Sequence, residues 1–223
     1  ANVTNDHTIS VSFAIDIFTI TASAGANGSI SPTGVVPVAY GGSTNFTMTP
    51  TNYYHVADVL VDSISVGASN TYLFVNVTNN HTISATFAVT YTTNAHPTPV
   101  WWLNQYYGVV DYESYAEQDT DTDGFFAWQE YITGTDPINV NSYFKIIQYT
   151  KMGSSNRVSW LGGNTNLPPF EVRRSTNLND VGGGWIPLTN IVRSADGTNY
   201  LYDQSALPTN LPTFYRIVAT NGP

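Results

Sequence analysis

The sequence has no cysteine, few charged residues and no long apolar run. Because cysteine is absent from all 223 residues, no disulfide framework holds a small domain together. Hydrophobic residues make up 42% of the chain, but they never form a run of about 18, the minimum for a membrane-spanning helix. The sequence therefore predicts no membrane insertion, and stability must come from buried cores or from a bound metal.

Basic residues are missing from the first part of the chain. Residues 1–144 contain twelve Asp and Glu but neither Lys nor Arg, and all seven basic residues lie between Lys145 and Arg216. Eight of those twelve acids fall between Asp111 and Asp136. Such a segment repels nucleic acid and anionic membrane surfaces, so neither is expected as a partner. With no base nearby, a bound cation is the natural counter-charge.

No pattern of catalytic residues stands out. The four histidines lack a second His or an acid at zinc-ligand spacing, and the chain has neither a nucleophile elbow nor a phosphate-binding glycine loop. Paired acids suited to glycoside hydrolysis occur only within the acidic cluster. The sequence therefore predicts a protein that is not an enzyme.

A segment near the start of the chain recurs later. Residues 2–15 read NVTNDHTISVSFAI and residues 76–89 read NVTNNHTISATFAV, with ten of fourteen positions identical. Self-similarity of this kind is the mark of a repeated structural unit. We therefore interpret residues 1–15 as the last strand of a preceding repeat and residues 16–90 as one complete β module.

Alternation of apolar and polar residues predicts strands in two regions. Residues 16–90 contain short alternating runs divided by Gly, Pro, Asn and Asp, which predicts an antiparallel module of six or seven strands. Residues 91–97 lack this pattern and are interpreted as a linker. Strand-like runs return over residues 142–223, with loops rich in Gly, Asn and Pro, and predict a C-terminal β-sandwich of six or seven strands.

The strongest chemical pattern lies in the twelve-residue window 119–130. Carboxylates occupy positions 1, 3, 5 and 12 of this window, at Asp119, Asp121, Asp123 and Glu130. With Gly124 at position 6, this is the ligand spacing of an EF-hand-type calcium loop. Phe125 is expected to contribute its backbone carbonyl, and Glu130 both carboxylate oxygens. The sequence therefore predicts Ca²⁺ as the cofactor.

Short helices are predicted on both sides of this loop. Thr98-Pro99 supplies an N-cap followed by a proline at the first helical position, so a helix is predicted over 100–107. Asp111 is placed to cap a second helix that runs to residue 118, and a third is expected over about 126–133. Residues 98–141 are therefore interpreted as a helical, EF-hand-like connector between the two β modules.

Aromatic residues near the first predicted helix suggest another kind of site. Flat rings stack on the apolar faces of sugars. Four aromatic residues are candidates for such stacking: Trp101, Trp102, Tyr106 and Tyr107. Core packing explains them as well, because Trp102 and Tyr106 share one helical face. Trp160 with Trp185 presents the same two alternatives, and both stay open at this point.

Several short motifs within residues 1–90 are typical of a known family. They are Ile20-Thr-Ala-Ser-Ala-Gly25, Gly28-Ser-Ile-Ser-Pro32, Gly41-Gly-Ser43, Val59-Leu-Val-Asp62 and the closing stretch 77–87. Through them the segment resembles the divergent internalin B-repeat family of long bacterial surface proteins. The resemblance implies a spacer or adhesive module without catalytic residues.

The rest of the chain carries two further resemblances. Residues 102–142 contain Trp102-Leu103, Asp111-Tyr-Glu113, Asp119–Gly124 and Glu130-Tyr-Ile-Thr-Gly-Thr-Asp-Pro137. Through these motifs the stretch resembles the bacterial thrombospondin type 3-like calcium module. Phe214-Tyr-Arg-Ile217, with other short motifs, resembles the fibronectin-like β domains that end large secreted bacterial proteins.

Taken together, these patterns predict a mainly β, non-catalytic C-terminal region of a larger secreted or cell-surface bacterial protein. Its expected role is adhesion, presentation or spacing, with calcium fixing the angle between the modules. The alternative is an accessory carbohydrate-binding region of an extracellular polysaccharide-degrading enzyme. The expected partners are accordingly a calcium ion and either an extracellular glycan or a surface protein.

Overall fold

The computed structural model describes two compact units, residues 1–90 and 91–223. The described residues are 2–108, 111–153, 155–162, 170–179, 184–189, 191–193, 198–204 and 212–219. The chain is 45% strand and 11% helical, with several antiparallel sheets. This confirms the prediction of a mainly β protein. Among the described helices, none has the length and hydropathy needed to cross a membrane.

The first unit consists of eight strands. They are β1 Ile17–Ala24, β2 Gly28–Ser31, β3 Gly34–Ala39, β4 Thr44–Pro50, β5 Tyr54–Val61, β6 Ile64–Ser65, β7 Thr71–Phe74 and β8 His81–Val89. Alternation accounts for them: on β4, for example, Phe46 and Met48 are buried while their neighbours Asn45 and Thr47 are exposed. The eight strands exceed the predicted six or seven.

These strands form a five-stranded sheet in the order β3-β1-β8-β5-β6 and a three-stranded sheet in the order β2-β4-β7. Both sheets contribute to one apolar core, which includes Ile20 and Ile83 from the first and Phe46 from the second. The prediction of antiparallel pairing is wrong at one place, because β1 and β8 run parallel. Parallel neighbours need a long connection, and the chain between β1 and β8 supplies it.

Residues 2–15 form no strand, although their sequence repeats that of β8. Every one of them is exposed, including Ile9 and Phe13, which are 93% and 92% accessible. The physical reason is that β8 owes its structure to two flanking strands, β1 and β5, and residues 2–15 have no such neighbours among the described residues. The assignment of this segment to a preceding repeat stays a prediction.

The turn between β5 and β6 is fastened to β8 by Asp62. Its Oδ2 lies 2.7 Å from Nδ1 of His81, and its Oδ1 accepts a 2.8 Å hydrogen bond from the Thr82 amide. These two interactions, the first being the larger, hold the pKa of Asp62 below its ordinary value of 3.8. The carboxylate therefore stabilises the first unit in its charged form.

We expect Asp62→Asn to lower the melting temperature of the first unit by a few degrees at pH 7. Because the pKa of Asp62 is lower when folded than its unfolded value of 3.8, its stabilisation is present above that pH and disappears as the pH falls below it. Calorimetric melts from pH 7 to pH 3 should show the two proteins converging in acid. Asp16→Asn, at an exposed aspartate, is the control; a constant difference at all pH values would contradict the prediction.

The second unit begins with three short helices, α1 Val100–Tyr107, α2 Tyr112–Ala116 and α3 Ala127–Thr133. Helix α1 has the predicted bounds, and Gly108 ends it in a left-handed conformation. The predicted cap is wrong, however: the helix follows Pro99 directly, and the Thr98 hydroxyl donates to the carbonyl of His96 instead. Asp111 caps α2 as predicted, by accepting from the Ser114 amide.

Among the residues that the structure describes, seven strands follow the helices. They are β9 Lys145–Met152, β10 Ser155–Leu161, β11 Phe170–Ser175, β12 Ile186–Leu188, β13 Val192–Arg193, β14 Thr198–Asp203 and β15 Phe214–Ala219. They form two antiparallel sheets, in the orders β13-β14-β10-β9 and β12-β11-β15. Trp160 and Leu201 from the first sheet pack with Val172 from the second, so that both sheets contribute to one apolar core.

A polar contact also joins these two sheets. Asp203 on β14 is 1% exposed and accepts hydrogen bonds from Arg174 on β11 and from the Tyr215 hydroxyl on β15. The Tyr215 hydroxyl in turn accepts from the side-chain amide of Asn156 on β10. A buried carboxylate needs such donors, because an unpaired charge in a core is strongly unfavourable.

Candidate metal centre

Three aspartates converge in the turn between α2 and α3. Asp119 accepts hydrogen bonds from the amides of Asp123 (3.2 Å) and Gly124 (3.0 Å), which bends the chain back over its own side chain. Thr122 and Gly124 have positive φ angles of 65° and 98°, as this tight turn requires. Carboxylate oxygens of Asp119, Asp121 and Asp123 lie within 4.8 Å of one another.

Glu130, the fourth predicted carboxylate ligand, lies in α3 and is 0% exposed. Neither of its carboxylate oxygens has a hydrogen-bond partner. The same holds for Oδ2 of Asp121 and Oδ2 of Asp123, which are also buried. Leaving buried polar atoms unpaired is costly, and charged groups suffer most. The loop therefore holds four buried oxygens that lack any donor.

The electrostatics of these groups have a common cause. Burial, followed by the charges of Asp121 and Asp123, raises the pKa of Glu130 from 4.5 to about 8, while the Thr135 side chain, near the carboxylate but not at hydrogen-bond geometry, acts in the opposite direction. Burial also raises the pKa of Asp121, to which the charges of Asp123 and Asp119 add. The neighbouring carboxylates thus make Asp121 and Glu130 harder to ionise, and a bound cation reverses that relation.

The donor set fits a hard divalent cation. All the candidate side-chain ligands are carboxylate oxygens, the atoms that Ca²⁺ prefers, and together they supply more negative charge than one ion neutralises. The Phe125 amide donates to Oδ1 of Asp123 at 2.8 Å, which fixes the backbone at this position. The Phe125 carbonyl remains a predicted ligand. Asp136 has another role, because its Oδ1 accepts from the amide of Ile138.

The helices around the loop pack on one small apolar cluster. Its fully buried members are Trp102 and Leu103 on α1, Ala116 on α2 and Ala127 on α3. The Ala127 amide donates to the Gln118 carbonyl at 2.9 Å, which ties the start of α3 to the end of α2. The acidic loop is the chain between these two points, so its shape and the packing of the two helices depend on each other.

The four candidate sugar-stacking residues do not form one exposed platform. Trp102 is 3% exposed and packs against Tyr106 and Tyr131, with ring centroids 4.9 and 5.5 Å apart. Tyr106 and Tyr107 are half-buried, and Trp101, at 37%, is exposed. The core interpretation of Trp102 is therefore correct, because one face of a short helix must be buried for the helix to be stable. Trp160 and Trp185 are buried too.

Residues 93–96 make contacts with α2 and α3 that their sequence does not predict. Residues 91–97 were predicted to be a linker, yet Glu113 on α2 accepts hydrogen bonds from the amides of Thr93 and Asn94. The His96 ring stacks on Trp128 with centroids 3.9 Å apart and an interplanar angle of 3°. No periodic or motif signal marks such contacts, since each joins residues that are about twenty or more positions apart.

No family model matches this chain, and searches of curated proteins and of solved structures likewise give no match.

Proposed function

We propose that the loop 119–130 binds one calcium ion, and that the ion is a structural part of the second unit. The observation that carries this proposal is the Glu130 carboxylate, which is fully buried, has no hydrogen-bond partner and lies within electrostatic reach of Asp121 and Asp123. A bound ion supplies the positive charge that these oxygens lack. The EF-hand-like character of the helical region is part of this proposal.

In this role each residue has a distinct task. Asp119, Asp121 and Asp123, whose carboxylate oxygens lie within 4.8 Å of one another, supply carboxylates from the turn, and Glu130, which is outside that group, is to be drawn in from α3. The Phe125 carbonyl completes the predicted set. Because the first three ligands precede α3 and the fourth lies within it, binding draws the helix onto the loop.

A structural ion fits this site better than a regulatory one. A calcium sensor needs a helix pair that opens to expose an apolar groove. Besides the buried Ala116 and Ala127, the larger Tyr112 of α2 and Tyr131 of α3 pack against the cluster, so both helices are held to α1. The hydrogen bond from the Ala127 amide to the Gln118 carbonyl also ties the start of α3 to the end of α2, so the helices form a closed core and, among the described residues, present no open groove.

For the protein as a whole we propose a non-catalytic role in adhesion, presentation or spacing at the surface of a bacterium or outside it. Support comes from the mainly β architecture, the absence of cysteine and the acidic, base-free first 144 residues. The proposed resemblance to the internalin B-repeat and thrombospondin type 3-like families points the same way. The carbohydrate-binding alternative has less support, because Trp102, one of its four candidate stacking residues, is buried.

Calcium binding is tested by titrating CaCl₂ into chelator-stripped protein and measuring heat. We expect one site per chain, with a dissociation constant at or below about 10⁻⁵ M. Asp121→Asn should weaken binding at least tenfold, because it removes a charged ligand. Asp6→Asn, which removes the same charge from an exposed residue of the first unit, should leave the affinity unchanged.

Absence of heat at millimolar calcium, or equal affinities for wild type and Asp121→Asn, would contradict the calcium site. The wider role is tested separately by affinity electrophoresis on a panel of plant and algal polysaccharides. We expect no retardation on any of them. Retardation by one glycan would favour the carbohydrate-binding alternative.

A further inference from the structure

We infer that calcium in the loop 119–130 controls the attachment of residues 92–98, the docked segment, to helices α2 and α3. This inference rests on the proposed calcium site and adds a consequence of it. When the ion is bound the docked segment is held, and when the ion is absent the segment is released.

Two hydrogen bonds join the first and last residues of the docked segment. The Thr92 amide donates to the Thr98 carbonyl at 2.9 Å, and the Thr98 amide donates to the Thr92 hydroxyl at 2.8 Å. Both threonines are buried, at 4% and 0% exposure. The segment is therefore a loop of defined shape, and its attachment is a property of the whole loop.

Helix α2 holds one side of the docked segment. The Glu113 carboxylate accepts from the Thr93 amide at 2.8 Å, from the Thr93 hydroxyl at 3.1 Å and from the Asn94 amide at 3.1 Å. The Asn94 side-chain amide also donates to the Glu113 carbonyl. Hydrogen bonds to an ionised acceptor are roughly twice as strong as neutral ones, so Glu113 is the principal anchor.

Helix α3 and the end of α2 hold the other side. The His96 ring lies flat on the indole of Trp128, and its Nδ1 is 3.0 Å from a carboxylate oxygen of Glu117. Trp128 is two positions before Glu130 on α3, and Glu117 is two positions before Asp119. The imidazole is thus held between residues that stand at the two ends of the acidic loop.

The ion connects these anchors. The docked segment contacts both α2 and α3. It therefore stays attached only while these two helices keep their relative positions. Without a cation, the oxygens of Glu130, Asp121 and Asp123 are left buried with no donor, which favours an open loop that exposes them to water and separates α3 from α2. Opening would move Trp128 away from Glu113 and Glu117. Calcium binding then determines whether residues 92–98 are attached to the helices or form part of the unattached chain before α1.

Hydrogen exchange of the full chain, read by mass spectrometry with 1 mM calcium and with chelator, tests this inference. We expect calcium to slow exchange of the Thr93 and Asn94 amides at least tenfold, in step with amides of the loop. Glu113→Ala should lose this protection, since Glu113 accepts from both amides, and should still bind calcium, with an affinity lowered by no more than the coupling that linkage requires. Asp6→Ala is the charge-matched control and should keep it.

The possible outcomes distinguish calcium binding at the loop from calcium-dependent attachment of the docked segment. If titration shows calcium binding while the docked segment exchanges equally fast with and without the ion, the inference is overturned and the calcium site stands. If Glu113→Ala keeps full calcium-dependent protection at Thr93 and Asn94, the anchor is misassigned and the inference is again overturned. If no calcium binds, both claims fail.

Discussion

Removing calcium is expected to lower the melting temperature of the second unit by roughly 15 °C. An ion present at about 1,000 times its dissociation constant stabilises the folded state by about 4 kcal/mol, and for a domain of this size 1 kcal/mol corresponds to about 4 °C. The effect is large because the metal-free site is unfavourable in itself: Glu130 is buried without a hydrogen-bond partner beside two other carboxylates.

The pH dependence of the metal-free protein follows from Glu130. Its pKa in the folded chain, about 8, is above the ordinary value of 4.5. A raised acid pKa means that the folded state holds the proton more tightly than the unfolded state. In chelator, the stability of the second unit should therefore be greatest below pH 4.5 with respect to this group and should decline as the pH rises to about 8.

Glu130→Gln separates the two contributions of this side chain. The variant keeps the size of the residue but removes its charge, so in chelator at pH 7.5 it should melt at a higher temperature than wild type. It should also lose most of the increase that calcium gives to wild type, because a neutral amide replaces a bidentate carboxylate ligand. The Glu130 carboxylate is thus expected both to bind calcium and to destabilise the metal-free protein.

Tryptophan fluorescence suits this measurement, since all five tryptophans lie in the second unit, between Trp101 and Trp185. Glu171→Gln makes the same chemical change on β11 and should retain the full response to calcium. A wild-type melt that chelator leaves unchanged would contradict the structural ion. A full calcium response in Glu130→Gln would contradict the ligand assignment.

Trp102→Ala should destabilise the second unit by about 3–5 kcal/mol, the usual loss for a large aromatic residue in a core. Trp102 is 3% exposed and contacts Tyr106 and Tyr131, so its removal leaves a cavity where α1 meets α3. Calcium affinity should fall as well, because part of the binding energy must then be used to order the helices. Trp101→Ala, one residue away and 37% exposed, should change stability by less than about 1 kcal/mol.

This adjacent pair gives a matched comparison with urea denaturation and calcium titration as the measurements. The two variants remove the same side chain from the same helix, so a difference between them reports burial alone. Equal losses of stability would contradict the core assignment of Trp102. Glycan binding that depends on Trp101 would revive the sugar-stacking alternative for the exposed ring.

Local signals predicted much of the helical region. The bounds of α1, the capping of α2 by Asp111 and the end of α3 at Gly134 all depend on residues within a few positions of one another. The convergence of three aspartates is also local, because the turn from Asp119 to Asp123 is closed by its own amides. Such features are encoded in short stretches and are therefore accessible from the sequence.

Features that depend on partners far apart in the sequence were not predicted, or were predicted wrongly. The strands β2 and β13 carry no sequence signal of their own, since four and two residues are too short to show alternation, and only pairing with β4 and β14 makes them strands. The parallel pairing of β1 with β8 joins segments some sixty residues apart. Residues 2–15 show the reverse case, in which a strand sequence without neighbours forms no strand.

The loop 119–130 contains both kinds of information. By itself the sequence determined which atoms are available there, because the spacing of four carboxylates and one glycine is fixed by covalent order. Only the tertiary structure decided that Glu130 is buried without a partner and that residues 92–98 dock beside it. Burial depends on which other parts of the chain pack against a residue. The spacing of residues along the chain does not contain that information.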